Sequence, residues 1–400
     1  MFSSRLKSDL TPNRLTQAVR QRREQGLPII DLTESNPTGV GLDYPDDLLA
    51  PLAASRGLRY APQPFGTIEA RRAVAAEYAR RGIDVDARRI ALTASTSEAY
   101  SLLFKLLTGP GDEVLVPRPS YPLFEILTTL DGVVPRPYDL EYHGVWSIDV
   151  AGLERSWTPR TRAVLIVTPN NPTGSFVSRD ELDRLARLCA TQGAAIVADE
   201  VFADYELDRG VAKTAGAALT RQDALVFALG GLSKSVGLPQ VKLGWIATGG
   251  PDRLVSEALE RLEIVCDTYL SVSTPVQLAA AELLDRGSSV RAQIQARIVS
   301  NYDRLRGLAA RVPSCSVLAA GGGWSAVVQV PTVRPEEDLV LDLLDRDGVL
   351  AHPGYFFDFP RDSFLIVSLL PAPGEFATGI ERLLRRASDL RGGTLIASSE

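Results

Sequence analysis

The chemistry open to this chain gathers around one amine. Lys234 follows the apolar run Val226-Phe227-Ala228-Leu229 and the glycines Gly230 and Gly231, inside Ser233-Lys234-Ser235. A lysine hemmed in by small residues at the end of a buried strand has its ammonium form disfavoured, which suits a nucleophilic amine. A nucleotide-binding loop is not the explanation, because Ser233 stands where glycine should precede the Lys-Ser pair. Three other segments offer partners. Ala195-Ile196-Val197-Ala198 ends in Asp199, and a buried carboxylate needs a positive or proton-bearing neighbour such as a protonated ring nitrogen. The alternative is an acid that caps the following segment. In Thr93-Ala94-Ser95-Thr96-Ser97-Glu98, free N–H groups and hydroxyls at a helix start make an anion cradle; an ordinary N-cap uses the same residues. In Thr168-Pro169-Asn170-Asn171-Pro172-Thr173-Gly174, Asn171 is a neutral donor able to hold a phenolic oxygen, or simply part of a turn.

Composition narrows the choice. The chain has 400 residues with ordinary globular proportions, 45% hydrophobic and 23% charged, which is enough for more than one domain. A net charge of −6 without a basic block disfavours nucleic acid and membrane surfaces as partners. Cys189, Cys266 and Cys315 are too scattered for a metal site or a disulfide framework, so no metal is expected. His143 and His352 are the two histidines, which leaves little room for a zinc centre or a Ser-His-Asp triad. The opening MFSSRLKSDL lacks an apolar signal region and no run is long enough to span a bilayer, so a soluble cytoplasmic protein is expected. An enzyme of this composition would borrow a cofactor's reactivity.

Something must hold these segments together. Leu10, Leu15 and Val19 suggest an amphipathic arm or first helix within residues 1–30. Strands are expected over 90–93, 113–116, 163–168, 194–198 and 225–229, alternating with helices over 68–81, 97–107, 121–130 and 179–191. That alternation implies an α/β protein whose large domain has a mostly parallel sheet flanked by helices, with ligands beyond the carboxyl ends of the strands. A long helical section covers 251–262 and 276–308. After Gly321-Gly322-Gly323, strands at 325–330 and 365–369 and helices at 336–347 and 374–388 form a smaller α+β unit. The expected division is an N-terminal arm, part of the small domain, over 1–45, a large domain over 46–290 and a small C-terminal domain over 291–400.

Taken together and in this order, NNPTG, the strand ending in Asp199, and Ser233-Lys234 followed by Gly237-Leu238 resemble the class I/II aminotransferases, pyridoxal-phosphate enzymes of fold type I. The likeness runs from Asn36 to the last helix. It implies that Lys234 forms the internal aldimine and shuttles a proton, while Asp199 pairs with the pyridinium nitrogen. It further implies that Asn171 holds the 3′ oxygen, that Ser95, Thr96 and Ser233 bind the phosphate, and that Tyr121 stacks on the ring. Tyr60 matches the tyrosine that reaches the phosphate from the neighbouring subunit, implying a homodimer.

Several positions depart from the family pattern. Phe202 stands in place of the usual tyrosine, with Tyr205 three residues late, and Gly231 replaces a common phosphate-binding serine. Lys242 takes the place of a phosphate-clamping arginine, keeping charge but losing the bidentate fork. Ile366 falls where the family places the arginine for the substrate carboxylate. Asn36, Arg361 and Arg118 are the candidates to serve that end, although a surface role explains either arginine. The leading expectation is transfer of an amino group from an amino acid to a 2-oxo acid. A β-eliminating C–S lyase or a decarboxylase would use nearly the same residues. A cofactor-sensing regulatory domain is the non-enzymatic alternative, disfavoured by the short arm before Asn36.

Overall fold

The structure, a computed structural model, describes residues 3, 5–6, 9–208, 210 and 217–389. In chain order the strands are β1 (Ile30–Asp31), β2 (Ile90–Thr93), β3 (Glu113–Arg118), β4 (Val134–Tyr142), β5 (Trp146–Ile148), β6 (Thr161–Val167), β7 (Ala195–Asp199), β8 (Val226–Gly231) and β9 (Gly244–Gly249). They continue with β10 (Ser316–Val317), β11 (Ser325–Gln329), β12 (Val349–Leu350), β13 (His352–Pro353) and β14 (Phe364–Ser368).

An eight-stranded sheet runs in the order β2-β9-β8-β7-β6-β3-β4-β5. The pairs from β4 through β3, β6 and β7 to β8 are parallel, while β9 is antiparallel to both β8 and β2 and β5 is antiparallel to β4. Strands β7 and β8 are buried along their whole length, as their continuous apolar runs require when helices cover both faces. On one face Phe104, Val197, Phe227, Ile246 and Leu262 pack together; on the other, Leu185, Ile196, Ala228, Ala247 and Leu283 do so. Local signals place the flanking helices. Ser178 and Glu181 form a capping box that starts the helix Arg179–Gln192. Ser95 caps the helix Thr96–Leu107 by accepting from Glu98 N–H.

A separate four-stranded sheet has the order β10-β11-β14-β13, and β1 pairs in parallel with β12. A backbone bond joins these pieces, Ser368 N–H donating to Leu32 O at 2.6 Å, while Leu369 N–H to Trp324 O at 2.7 Å continues the β14–β11 ladder.

The expected α/β architecture is present, with local differences. β4 lies outside the expected strands: VPRPYDLEY carries two prolines and is half-buried to exposed apart from Tyr138, the profile of a strand near a sheet margin. The C-terminal helical section is two helices, Thr274–Arg286 and Ser288–Ala309, joined at Gly287, where a Cβ would come within 2.6 Å of Val236. The first helix is Arg14–Glu24, so Leu15 is buried in it while Leu10 lies before it, 82% exposed.

Candidate active site

A cavity of about 200 Å³ opens beyond the carboxyl ends of β6, β7 and β8, lined by Val167, Asp199 and the Ser233-Lys234 pair at those ends. It is here that the structure brings most of the chemically interesting side chains together.

Asp199 ends β7 and is buried. Tyr100 O–H donates to its Oδ2 at 2.9 Å and Val201 N–H to its Oδ1 at 3.1 Å. Both bonds favour the carboxylate, yet loss of water outweighs them and pushes the acid up to about 6. Lys234 has the complementary shift. Burial pulls its ammonium down to about 8, against the opposing attraction of Asp199. Its Nζ lies 4.7 Å from the centre of the Trp324 ring and 5.6 Å from that of Phe202, an apolar surround that withholds water while offering a weak electrostatic hold on a cation. The backbone under this lysine is clamped. Tyr205 O–H donates to Lys234 O at 2.6 Å, and Arg291 Nε donates to Ser235 O at 2.8 Å. Tyr205 therefore serves the main chain, and Phe202 faces the amine.

Asn171 is oriented by a neighbour. Ser325 O–H donates to its Oδ1 at 3.2 Å, which leaves the amide N–H₂ free. The preceding Asn170 is 2% exposed and knits two loops: it accepts from Ser120 O–H at 2.9 Å and donates to Pro119 O at 3.1 Å. The peptide bonds before Pro119, Pro169 and Pro172 are cis. Tyr121, next to Ser120, lines the cavity and is 46% exposed.

At the start of the helix Thr96–Leu107, the hydroxyl of Ser95 is engaged with Glu98 N–H, whereas Thr96 and Ser97 line the cavity. Their N–H groups belong to the unsatisfied first turn, where the helix field favours an anion. Ser233 also lines the cavity. Gly231 has an extended backbone and approaches β9 so closely that a Cβ would lie 3.1 Å from Leu243 O, which leaves little space for a serine.

Other expected residues stand apart. Lys242 is exposed, with a left-handed φ of 61°, and is not among the residues lining this cavity. Tyr60 is 67% exposed. The carbonyl of the Asn36 side chain accepts from Thr38 N–H at 3.1 Å, and it is Ser35 that lines the cavity. Arg118 donates to Asp139 at 2.7 Å, and Arg361 is exposed beside the Phe364 ring. Neither arginine lines the cavity.

Sequence reasoning missed Tyr100, Trp324, Ser325 and Ser368, all of which line it. For Tyr100 a signal existed: it is four residues after Thr96, on the same helical face. Nothing in the sequence ties Trp324 to a lysine so distant in the chain.

A buried carboxylate and a depressed amine meet at the strand ends of a parallel sheet, beside a helix start suited to an anion, the kind of perturbed cluster found at functional sites. The family model for aminotransferase class I and II matches residues 25–375, and the chain belongs to that family. Alanine aminotransferase of Mycobacterium tuberculosis is 30% identical over 384 residues, covering 92% of this chain and 87% of the relative. Glutamate-pyruvate aminotransferase of Escherichia coli is 28% identical, covering 88% of each chain. Among solved structures, an aminotransferase from Escherichia coli matches with a TM-score of 0.84 at 25% identity, covering 97% of this chain and 98% of that one. Alanine aminotransferase from Pyrococcus furiosus matches in fold, with a TM-score of 0.85 at 23% identity over 96% and 99% of the two chains. The chain is an aminotransferase.

Proposed function

We propose that this enzyme moves an amino group from an amino acid to a 2-oxo acid with pyridoxal 5′-phosphate, using Lys234 as its covalent anchor and proton carrier. The observation that carries this reading is the single cavity in which Lys234 is pulled down to about 8 while Asp199 is pushed up to about 6.

The residues fit the cofactor. Asp199 is a buried carboxylate that would be relieved by a protonated ring nitrogen. Asn171 keeps a free N–H₂ for a phenolic oxygen, and Tyr121 offers a ring to stack on. Thr96, Ser97 and Ser233 supply N–H and hydroxyl donors for the phosphate, with Ser95 holding the helix start in shape. Bound there, the cofactor would act as an electron sink for the charge left when a proton departs from the substrate's Cα.

The chain's own groups do the rest. Near neutral pH a useful fraction of Lys234 is free amine, able to attack a carbonyl carbon and to accept a proton. Trp324 and Phe202 shield that amine from water, so the proton it takes up is returned to the reacting carbons. Tyr100 and Val201 each bond one oxygen of Asp199 and so hold the carboxylate against rotation.

A homodimer is part of this reading. Tyr60 and Leu58 are 67% and 91% exposed, and Leu270 and Tyr269 are 67% and 54% exposed nearby in the fold, since Gly57 abuts Pro275. A second copy would cover this apolar surface and gain Tyr60 at its phosphate. Alanine and glutamate are the first donors to try, from the names of the relatives, with pyruvate and 2-oxoglutarate as acceptors.

Borohydride reduction of the cofactor-loaded enzyme should attach the cofactor's mass to the Lys234 peptide, and Lys234→Ala should carry none. Single turnover with an amino acid should convert the cofactor to its amine form and release a 2-oxo acid. A label on another residue defeats the assignment; release of CO₂, or of ammonia with a thiol, identifies a lyase or decarboxylase instead.

A further inference from the structure

We propose that Arg291 is a positioning residue for Lys234: from behind the site it grips the carbonyl of the next residue, and it is itself locked in a ring of charges with Glu77, Arg80 and Asp204. This rests on the role given to Lys234 above and names the part of the fold that aims its amine.

The first observation is how little the local backbone holds by itself. Lys234 sits in a single helical turn, Leu232–Ser235, and one isolated turn forms at a loss because it orders several residues for few bonds. Its carbonyls are held from outside. Arg291 Nε donates to Ser235 O at 2.8 Å, and Tyr205 O–H reaches Lys234 O at 2.6 Å and Ser235 O at 3.3 Å. The Ser235 hydroxyl, though buried, has no hydrogen-bond partner, so the main chain is the handle.

The second observation is what stands behind Arg291. Its Nη2 donates to Glu77 Oε2 at 2.7 Å, and its Nε lies 3.8 Å from Asp204 Oδ2. Arg80 closes the ring, donating to the same Glu77 oxygen at 3.0 Å and pairing with Asp204. Two arginines thus alternate with two carboxylates, drawn from the helix Ile68–Arg80, the turn after β7 and the helix Ser288–Ala309. Arg291 and Asp204 are its buried side, at 11% and 9% side-chain exposure, whereas Arg80 at 42% faces solvent, which screens its pairing. None of the four lines the cavity, so the ring acts on Lys234 through the main chain. Such a ring adds direction more than stability, since apolar side chains of the same volume would pack as well. The planar guanidinium holds its partners at set angles, which an ammonium cannot do.

The consequence is one of leverage. The amine stands at the tip of a long unbranched side chain, 4.7 Å from the Trp324 ring centre and 5.6 Å from that of Phe202. Backbone tilt is magnified along that chain, and a displacement of about 1 Å at a reacting atom can cost about a hundredfold in rate.

Three variants separate aiming from mere stapling. Arg291→Lys keeps the charge and loses the fork, Tyr205→Phe removes a hydroxyl, and Arg80→Gln opens the ring on its solvent side. In cofactor-free protein, formaldehyde with cyanoborohydride methylates free amines, and mass spectrometry of the Lys234 peptide follows this one. Its rate should be half-maximal at about pH 8 in the parent, and Asp199 is the acidic side chain sharing its cavity in every variant. Arg291→Lys and Tyr205→Phe should move that midpoint up by roughly one unit, as the amine leaves its apolar slot for water. In holoenzyme they should lower kcat by roughly tenfold to a hundredfold, with KM changed less than about threefold. Arg80→Gln should reduce the urea midpoint but keep the labelling midpoint and kcat of the parent. An unmoved labelling midpoint in both Arg291→Lys and Tyr205→Phe, or an equal shift in Arg80→Gln, overturns the proposal and reduces the ring to a tertiary staple. If borohydride places no cofactor on Lys234 of the parent, the function proposed above fails instead, while the labelling midpoints still decide how Lys234 is held.

Discussion

Asp199 and Lys234 are each held against their ordinary titration, and the cofactor-free protein bears the cost. Asp199 binds its proton more tightly when folded, at about 6 against 3.8, so its contribution to stability is complete below about pH 4 and is lost as pH rises through 6. Lys234 binds its proton less tightly when folded, at about 8 against 10.5, so stability is depressed below 8 and recovers as pH climbs toward 10.5. The pair is therefore at its most costly between pH 6 and 8. Urea denaturation of the cofactor-free protein should show stability falling from pH 4 to 6 by on the order of 2 kcal/mol more in the parent than in Asp199→Asn. The rise between pH 8 and 10 should be shallower in Lys234→Met. Parallel profiles for parent and variants would mean that these groups titrate normally. A site that is uncomfortable when empty gains the more from a ligand, because a protonated ring nitrogen, on the function proposed above, would turn the buried carboxylate into half of a pair.

At the scale of elements, the site depends on loops held by close backbone approach. Gly174 has φ 68°, its O accepts from Gly321 N–H at 2.9 Å and Gly322 N–H at 3.0 Å, and a Cβ there would lie 2.6 Å from both Ala320 and Gly322 O. This one glycine fastens the Asn171 loop to the segment that leads into Trp324 and Ser325. Gly193 has the same φ of 68° but nothing within 4 Å of its Cβ position. The two separate conformational strain from collision. Gly193→Ala should lose about 1 kcal/mol by urea midpoint, the cost of left-handed backbone for a side chain. Gly174→Ala should lose that plus the clash, roughly 2 to 4 kcal/mol in all, and weaken cofactor binding because Asn171 and Trp324 shift together. Equal losses would show that the loops relax without consequence for the site.

For the whole molecule the open face around Leu58, Tyr60 and Leu270 matters most. Light scattering should report a mass twice the 43.2 kDa of the chain. Tyr60→Phe should leave that mass unchanged while weakening cofactor binding by up to about tenfold, the loss of one charge-assisted bond to a phosphate. A monomer that binds cofactor normally would remove the shared-site reading. Among the described residues no helix is long and apolar enough to cross a membrane.

Much of the protein is legible in its residues because each signal there is local. Apolar runs of four to seven residues ending in Asp199, in Val167 or in the Gly230-Gly231 pair announce buried strands and the points where loops begin. The spacing of NNPTG, Asp199 and Lys234 then orders the reactive groups along the chain, and period-two alternation on β14 already places Ile366 and Ser368 on one face. Other features belong to the tertiary structure, because they arise between segments with no sequence relation. That Ser95 Oγ accepts from Glu98 N–H, with its own hydrogen still to give, is a feature of the folded helix start. Tyr205 is spent on the backbone of Lys234. Trp324 meets the amine, and leaves its own N–H unpartnered, only in the folded packing. Composition and spacing determine that a lysine and an aspartate will share a parallel-sheet site, since strand ends converge by geometry. Which neighbours surround them, and hence their titration and the substrate they admit, is set by side chains that meet across the chain.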